Sequence, residues 1–230
     1  MCGRYSLGSP DADLLRRRFI LGESVEVPEQ EPRWNIAPTD PVLAVREGDG
    51  GRDLGVLRWG LVPGRWAEKG GRPLINARAE TLEGQPAFRE SFQQRRCLIP
   101  ADGFYEWLSD EKGKRPLWFS RADAGLFAFA GIWAELPERQ GDGVLHSCAI
   151  VTCEPNGLVR PIHDRMPVVL TPEAEAGWLD ADAEPGDLAR LLAPAPDGLL
   201  VAREVGDFVN DVREDGPHLI EPREEQKSLF

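Results

Sequence analysis

The sequence lacks the features that mark membrane, secreted and zinc-binding proteins. None of its apolar runs reaches about 18 residues, the length that a membrane-spanning helix needs, so we expect no contact with a membrane. The amino terminus has no basic segment followed by an apolar one, and no secretory signal is therefore expected. The four cysteines include no CxxC pair and no zinc-ligand spacing. Together these absences predict a cytoplasmic protein whose thiols stay reduced.

The chain also has fewer basic than acidic residues. The chain has 27 Lys and Arg against 39 Asp and Glu, which gives a formal net charge of −12. Because binding to phosphates depends on Lys and Arg, this balance argues against a general nucleic-acid coat, although a local basic groove remains open. Much of the acidity lies after residue 170. Six arginines lie earlier, among motif-like stretches: Arg4, Arg78, Arg95, Arg96, Arg160 and Arg165.

Glycine and proline, by contrast, are plentiful, with 24 and 20 residues. This composition favours many turns and short elements over a helical bundle. Roughly eight strand-like runs alternate with a few short helical segments. The sequence therefore predicts one α+β domain over residues 1–220, with a twisted, mostly antiparallel, barrel-like sheet and short peripheral helices. Residues 221–230 are predicted to form a flexible tail.

Local signals place several of the helices and loops. Ser9 followed by Pro10 predicts the start of a helix with Ser9 as its cap, and Gly22 can end that helix. Residues 24–40 are rich in Pro and Glu and predict an irregular loop. Further helices are predicted near residues 86–94, 172–179 and 187–192.

Cys2 is the leading candidate for chemistry. Removal of Met1 is expected when the next residue is small, and the mature chain would then begin with a free α-amine and a thiol on one residue. Reference pKa values of about 7.7–8.0 for the amine and about 8.5 for the thiol leave useful fractions of both nucleophiles near neutral pH. The amine can form an imine with an aldehyde, and the thiol can close onto it as a thiazolidine. The alternative is a chance cysteine in a frayed terminus.

Three further polar residues lie in settings that suit catalysis. Asn76 and Arg78 can share one face of an extended segment, which would present an amide beside a bidentate phosphate ligand. Glu106 lies inside the aromatic run GFYEWL, where desolvation would raise its pKa toward neutrality. His163 lies in a loop framed by prolines and suits acid–base work. The plainer alternatives are an Asn-mediated turn, an edge-strand carboxylate in water and a structural histidine.

The tryptophans divide into two groups. Trp59, Trp66 and Trp107 are candidates for stacking on bases, although a core position is the more frequent one for any single tryptophan. Other large or reactive side chains lie in apolar or helical runs and are assigned to the core: Trp118, Trp133, Trp178, Cys97 and Cys148.

Taken together, these stretches resemble the SRAP family, the abasic-site processing proteins whose members form covalent links to damaged DNA. The resemblance spans nearly the whole chain, and the order of the blocks matches. A departure occurs at TCEPN (152–156), where Pro155 replaces the alanine that relatives often carry. The matching blocks are MCGRY at the start, NIAP (35–38), WGLVP (59–63), INARAE (75–80), RRCLIPADGFYEW (95–107), FAGIW (129–133), IHDRMP (162–167) and, more weakly, VNDVREDGPHLI (209–220).

The resemblance implies a single-domain α+β fold with a barrel-like core and a positively charged cleft. It implies that Cys2 is the nucleophile of the mature chain and that no metal or organic cofactor is needed. The other active-site positions fall on Asn76, Glu106 and His163. The positions that contact DNA fall on Arg4, Asn35, Trp66, Arg78, Trp107, Thr152 and Arg165.

On this basis we expect an enzyme that recognises abasic sites in single-stranded DNA, including single-strand/double-strand junctions, as a monomer. It would form a thiazolidine crosslink between Cys2 and the abasic aldehyde and show weak lyase activity. One alternative is an N-terminal-nucleophile amidohydrolase, in which the Cys2 thiol attacks an amide. A second is a non-catalytic single-strand binding module, indifferent to Cys2. A third, narrower role is a peptidase activity limited to the removal of Met1.

Overall fold

Thirteen strands and four short helices make up the described part of this computed structural model, which covers residues 2–48, 50–63, 72–111, 113–137 and 143–223. The strands are β1 (Tyr5–Leu7), β2 (Arg33–Ile36), β3 (Pro41–Gly48), β4 (Gly51–Trp59), β5 (Asn76–Arg78), β6 (Arg96–Ala101), β7 (Gly103–Asp110), β8 (Gly113–Arg121), β9 (Phe127–Pro137), β10 (Val144–Cys153), β11 (Met166–Pro167), β12 (Val169–Leu170) and β13 (Leu200–Glu204). The helices are α1 (Ala12–Phe19), α2 (Arg89–Gln94), α3 (Pro172–Leu179) and α4 (Pro185–Leu191).

Five strands close into a barrel in the order β10, β4, β3, β6, β9 and back to β10. β10 runs parallel to β4, with Cys148 opposite Trp59, and the other pairs around the barrel are antiparallel. The walls approach closely at Gly131 of β9, where an added Cβ would lie 2.7 Å from the sulfur of Cys97. A larger residue there would force the strands apart, because closely packed interiors leave no room for an extra carbon.

A second, antiparallel sheet packs against the barrel in the order β13, β8, β7, β1, β2. Phe104 of β7 stacks on Phe119 of β8 with ring centroids 4.9 Å apart. Tyr5 of β1 meets Trp59 of the barrel edge-on at 5.4 Å, and both side chains are buried. This packing carries the start of the chain into the junction between the two sheets.

The prediction of a mostly antiparallel, barrel-like α+β fold is confirmed. The eight expected strands correspond to β3, β4, β6, β7, β8, β9, β10 and β13. The five additional strands are two to four residues long, which is too short for an alternation of apolar and polar residues to be visible. One of them, β2 (Arg33–Ile36), lies in the segment that was expected to be an irregular loop, so that expectation is wrong for these residues.

Helix α1 begins and ends elsewhere than predicted. Asp11, not Ser9, caps it, because the Asp11 carboxylate accepts a 2.8 Å hydrogen bond from the backbone N–H of Leu14. The helix stops at Ile20, which adopts a left-handed conformation with φ of 56°, before the predicted stop at Gly22. Helix α3 matches its prediction, with Thr171 as cap and Pro172 in the first turn. None of the helices within the described ranges has the length and apolarity to cross a bilayer.

The carboxy-terminal part of the chain folds back over the second sheet. Two 3-10 turns, Asp207–Asn210 and Pro217–Ile220, lie in what we call the C-terminal segment (residues 207–220). The fold then continues past the predicted start of the tail, because the backbone N–H of Arg223 donates to the carbonyl of Glu204 at 2.9 Å. The predicted tail (221–230) stays a prediction, since residues 224–230 lie outside the described part of the chain.

Candidate active site at the amino terminus

Cys2 is completely buried where the two sheets meet. Its backbone carbonyl accepts a hydrogen bond of 2.8 Å from Nδ2 of Asn76, the first residue of β5. Its sulfur lies 3.9 Å from the carbonyl oxygen of Arg4. Parallel pairing with β10 holds β5 in place and puts Asn76 opposite Ile150. The second residue of the chain is therefore fixed to the barrel sheet and is not part of a frayed terminus.

Glu106 enters the site from β7, a strand flanked by β8 and β1, and the residue is only 3% exposed. Burial raises the pKa of its carboxyl to about 7. Burial also raises the pKa of the Cys2 thiol far above its usual value, and the nearby negative charge of Glu106 raises it further. At neutral pH the thiol therefore stays protonated, while Glu106 can take up or release a proton. The burial of Glu106 excludes the alternative that this residue is an edge-strand carboxylate exposed to water.

His163 lines a cavity of about 510 Å³, together with Glu154, Pro155 and the rest of residues 160–165. Its Nδ1 lies 3.0 Å from the backbone N–H donor of Arg165 and 2.8 Å from Oδ1 of Asp164. The first contact suits the neutral imidazole and the second suits the protonated one, so a partner is in place for each charge state. Burial lowers the pKa of the imidazole, and the neutral form is therefore favoured at neutral pH.

Arg165, which lines this cavity, and Arg78 of β5 differ in how far their side chains are already paired. Arg165 is paired with Glu80 through a contact of 2.6 Å, and its side chain is 17% exposed. Arg78 is exposed, and no carboxylate of a described residue forms an ion pair with it. Thr152 lies beside Arg78 in the register of β10 and β5 but is completely buried. Its hydroxyl has no hydrogen-bond partner among the described residues.

Arg4 and Asn35 form one hydrogen-bonded unit with the C-terminal segment. Nη1 of Arg4 donates to Oδ1 of Asn35 at 2.6 Å and to the carbonyl of Val209 at 2.8 Å. The amide of Asn35 donates to the carbonyls of Asp211 and Glu214 at 2.9 and 2.7 Å. Asn35 is completely buried, so contact of its side chain with DNA would require the C-terminal segment to move away.

Among the described residues, Trp107 is the one candidate for base stacking that the structure places beside Arg4. Its indole Nε1 donates to Oδ1 of Asn210 at 2.7 Å. Nζ of Lys114 lies 5.3 Å and the guanidinium carbon of Arg4 lies 6.0 Å from its ring centre. The ring is half-buried, and both cations lie within the range of a cation–π contact with it.

The other tryptophans do not join this surface. Trp59 is completely buried, and its Nε1 donates to the carbonyl of Ile75 at 2.8 Å, so its assignment as a stacking residue is wrong. Trp66 lies outside the described residues. The assignments to the core hold for Trp118 and Trp178, which are buried, while Trp133 is half-buried against the core.

The contacts bring the predicted residues into three adjoining groups. The first is Cys2 with Asn76 and Glu106, the second is Arg4 with Asn35 and Trp107, and the third is His163 with Arg165, Arg78 and Thr152. The sequence interpretation gave no role to Glu80, Lys114 or Asn210, which contact these groups directly. For Glu80 a signal was present, because the residue lies two positions after Arg78 in the motif INARAE.

A buried cysteine at the second position of the chain lies beside a carboxyl of raised pKa, between a closed barrel and a second sheet. The model of the SOS response associated peptidase (SRAP) family matches residues 1–212, and the chain belongs to that family.

Similar proteins cover almost all of the chain. Abasic site processing protein YoqW of Bacillus subtilis is 41% identical over 225 residues, which are 96% of this chain and 99% of YoqW. Abasic site processing protein YedK of Escherichia coli is 32% identical, with coverage of 96% and 100%. A crystal structure of a protein from Bacteroides thetaiotaomicron has a TM-score of 0.84 at 23% identity and covers 96% of this chain and all of that one. This last likeness shows the fold.

Proposed function

We propose that this chain is an abasic-site processing protein that binds single-stranded DNA and links itself covalently to the lesion. The observation that carries the proposal is the anchoring of Cys2 by Asn76 beside Glu106, a carboxyl whose pKa burial raises to about 7. The names of YoqW and YedK, abasic site processing proteins similar over the whole chain, support the choice of substrate. An abasic nucleotide also suits a buried site, since no base has to be unpaired or flipped before the sugar enters.

The reaction begins with the α-amine that Cys2 gains when Met1 has been removed. The amine attacks the C1′ aldehyde of the open-chain sugar, and the resulting carbinolamine loses water to give an imine. The thiol sulfur then bonds to the imine carbon, and its proton passes to the nitrogen. One water leaves overall. Because burial keeps the Cys2 thiol protonated, the amine and not a thiolate is the first nucleophile.

Glu106 moves the protons in this scheme. Its carboxylate form accepts a proton from the Cys2 ammonium, and its acid form protonates the departing hydroxyl of the carbinolamine. A group with a pKa of about 7 can do both at neutral pH, which is the condition for efficient general acid–base catalysis. Asn76 keeps the backbone of Cys2 fixed toward the sugar through its 2.8 Å hydrogen bond.

His163 opens the deoxyribose ring by protonating the ring oxygen. The pKa of the imidazole is lowered by burial, so its protonated form is scarce at neutral pH but is a stronger acid. Asp164, with Oδ1 at 2.8 Å from Nδ1, stabilises that protonated form. The same imine intermediate permits β-elimination, so weak lyase activity follows.

The DNA path follows the cations around Cys2, of which Arg78 is exposed and Arg4 and Arg165 are half-buried. Arg4, Arg78 and Arg165 bind phosphates, and Trp107 stacks on a neighbouring base. Asn35 acts through Arg4, which it holds with a 2.6 Å hydrogen bond. Thr152 and Trp66 stay predictions as DNA-binding residues, as do the monomeric state and the recognition of strand junctions.

The proposal is tested by incubating the purified protein with a single-stranded oligonucleotide that carries one abasic site. We expect a heat-stable adduct whose intact mass equals protein without Met1 plus DNA minus one water. Cys2→Ala should give no adduct, whereas the control Cys97→Ala, which removes a cysteine of the barrel wall, should react normally. A stable adduct of full yield from Cys2→Ala would refute the proposal, as would one from protein with an uncleavable tag ahead of Cys2. Binding without any adduct would indicate a single-strand binding module, and release of ammonia from glutamine would indicate an amidohydrolase.

A further inference from the structure

Glu80 lies beside the proposed DNA path and occupies one of its cations. Oε1 of Glu80 accepts a hydrogen bond of 2.6 Å from Nη1 of Arg165. The arginine side chain is 17% exposed and the carboxylate 46%, so the carboxylate covers the guanidinium and itself faces outward. Arg165 in turn donates its backbone N–H to Nδ1 of His163. The ion pair between Glu80 and Arg165 therefore adjoins the imidazole of His163.

The surroundings of Glu80 favour the ionised form of its carboxyl. Partial burial opposes ionisation, but the hydrogen bond and positive charge of Arg165, the backbone N–H of Glu80 and the charge of Arg78 together lower the pKa of the carboxyl below its ordinary value. A negative charge thus lies against Arg165 at neutral pH, while no carboxylate of a described residue forms an ion pair with Arg78 of β5.

We propose that Glu80 is a specificity-determining residue: it occupies the Arg165 guanidinium in the DNA-free protein and must release it before a phosphate can bind there. The inference rests on the proposed function. The carboxylate presents the same charged oxygen acceptors as a phosphate, so the two compete for one arginine fork. Partly exposed ion pairs of this kind are weak, and a phosphate can displace the carboxylate.

The competition affects damaged and undamaged strands differently. An undamaged strand must displace Glu80 and gains only a phosphate contact in return. A strand with an abasic site also forms the covalent link to Cys2, which holds it whatever the strength of the phosphate contacts. Glu80 therefore lowers the affinity for undamaged single strands without preventing capture of the lesion.

The test compares two variants that each remove one negative charge from the same region. Glu80→Gln abolishes the ion pair with Arg165, whereas Glu154→Gln removes an exposed carboxylate that lines the same cavity as Arg165 and forms no ion pair with a described residue. Affinity for an undamaged single-stranded oligonucleotide is measured by fluorescence anisotropy at low and high salt. Glu80→Gln should bind about two- to five-fold more tightly than Glu154→Gln at low salt, and the excess should fade as salt screens the charges.

A double mutant separates competition from simple repulsion. If Glu80 acts by occupying Arg165, then Glu80→Gln introduced into an Arg165→Gln background should tighten binding no more than Glu154→Gln does in that background. An equal effect of the two glutamine variants in the wild-type background would overturn the inference, as would an excess that persists without Arg165. These measurements use undamaged DNA, so they can fail while the abasic adduct still forms. If wild type and both variants bind no single strand at all, the inference and the proposed function both fail.

Discussion

At the scale of the residue, the buried position of Glu106 sets its chemistry. A carboxyl with a pKa of about 7 is half ionised at neutral pH, so the base form needed to activate the Cys2 amine appears as the pH rises through that value. The wild-type rate of adduct formation should rise first near pH 7 and again as the amine loses its proton at about 7.7–8.0. Glu106→Gln should lose the first rise and react about 10²–10⁴-fold more slowly at pH 7. Single-turnover adduct formation across the neutral range provides the measurement, and an unchanged profile would contradict the role of Glu106.

The same shift in pKa has a cost in stability. In the unfolded chain the carboxyl ionises with a pKa of about 4.3, whereas in the folded protein it ionises at about 7. Ionisation is thus opposed in the folded state, and the destabilisation is absent below the unfolded pKa and complete above the folded one. Glu106→Gln should therefore raise the free energy of unfolding at pH 8 by up to about 3 kcal/mol relative to its effect at pH 5. Urea unfolding at the two pH values measures this difference, and an equal effect of Glu106→Gln at pH 5 and pH 8 would contradict it.

Sequence reasoning at this scale was accurate where a residue conflicted with its neighbours. A carboxylate within GFYEWL conflicts with its aromatic surroundings, and the structure buries it with a raised pKa. The prediction that Trp59 stacks on a base was wrong, because tryptophan occurs both in protein cores and at DNA-binding surfaces, and Trp59 is buried. The burial of Asn35 depends on carbonyls contributed by residues 209–214, and such distant partners leave no trace near position 35.

At the scale of the element, the C-terminal segment (residues 207–220) holds Arg4 and Trp107 in place. Asn35 of β2 holds the carbonyls of Asp211 and Glu214, and Asp215 adds a second attachment to β2: its carboxylate accepts hydrogen bonds from Nε of Arg33 at 2.5 Å and from the backbone N–H of Trp34 at 2.6 Å. Without these attachments the carbonyl of Val209 and the amide acceptor of Asn210 would no longer be held against the site. The order of Arg4 and Trp107 thus depends on residues about a hundred or more positions away in the chain.

Asp215→Ala should weaken the attachment of the C-terminal segment to β2. Two charge-assisted hydrogen bonds are lost, so the free energy of unfolding should fall by about 1–3 kcal/mol and affinity for single-stranded DNA should fall with it. Hydrogen exchange should show faster opening within residues 207–220. Asp211→Ala is the matched control, because among the described residues the Asp211 side chain forms hydrogen bonds and an ion pair only with the exposed Arg213. Equal stability and exchange in the two variants would show that Asp215 does not attach the segment.

Elements with strong local signals could be predicted, and elements defined by distant partners could not. Helix α3 has both a cap and a proline in its first turn, and its prediction near residues 172–179 is confirmed. Strand β5 has three residues and exists because β10 pairs with it. Nothing within Asn76–Arg78 alone favours a strand over the Asn-mediated turn, although this strand delivers the residue that anchors Cys2.

At the scale of the whole molecule, the closure of the barrel positions the site. The expected sheet was barrel-like, but the contact that closes it, β10 against both β9 and β4, joins segments whose order in space differs from their order in the chain. Pairing between distant segments depends on packing across the entire core and leaves no local pattern. The family resemblance supplied the site residues that composition and periodicity could only suggest.

The overall charge of −12 makes a strong prediction about binding to DNA. Attraction to a polyanion must come from the few cations around Cys2 against a repulsive background, so affinity for a single strand should fall steeply with salt, by about 0.7 log unit per log unit of salt for each phosphate contact. Arg78→Gln should reduce that slope by about one contact and weaken binding regardless of base sequence. Arg190→Gln, which removes an 80% exposed arginine from helix α4, should leave the slope unchanged. Anisotropy titrations at several salt concentrations compare the three proteins, and an affinity of wild type that does not vary with salt would rule out a phosphate-binding cleft.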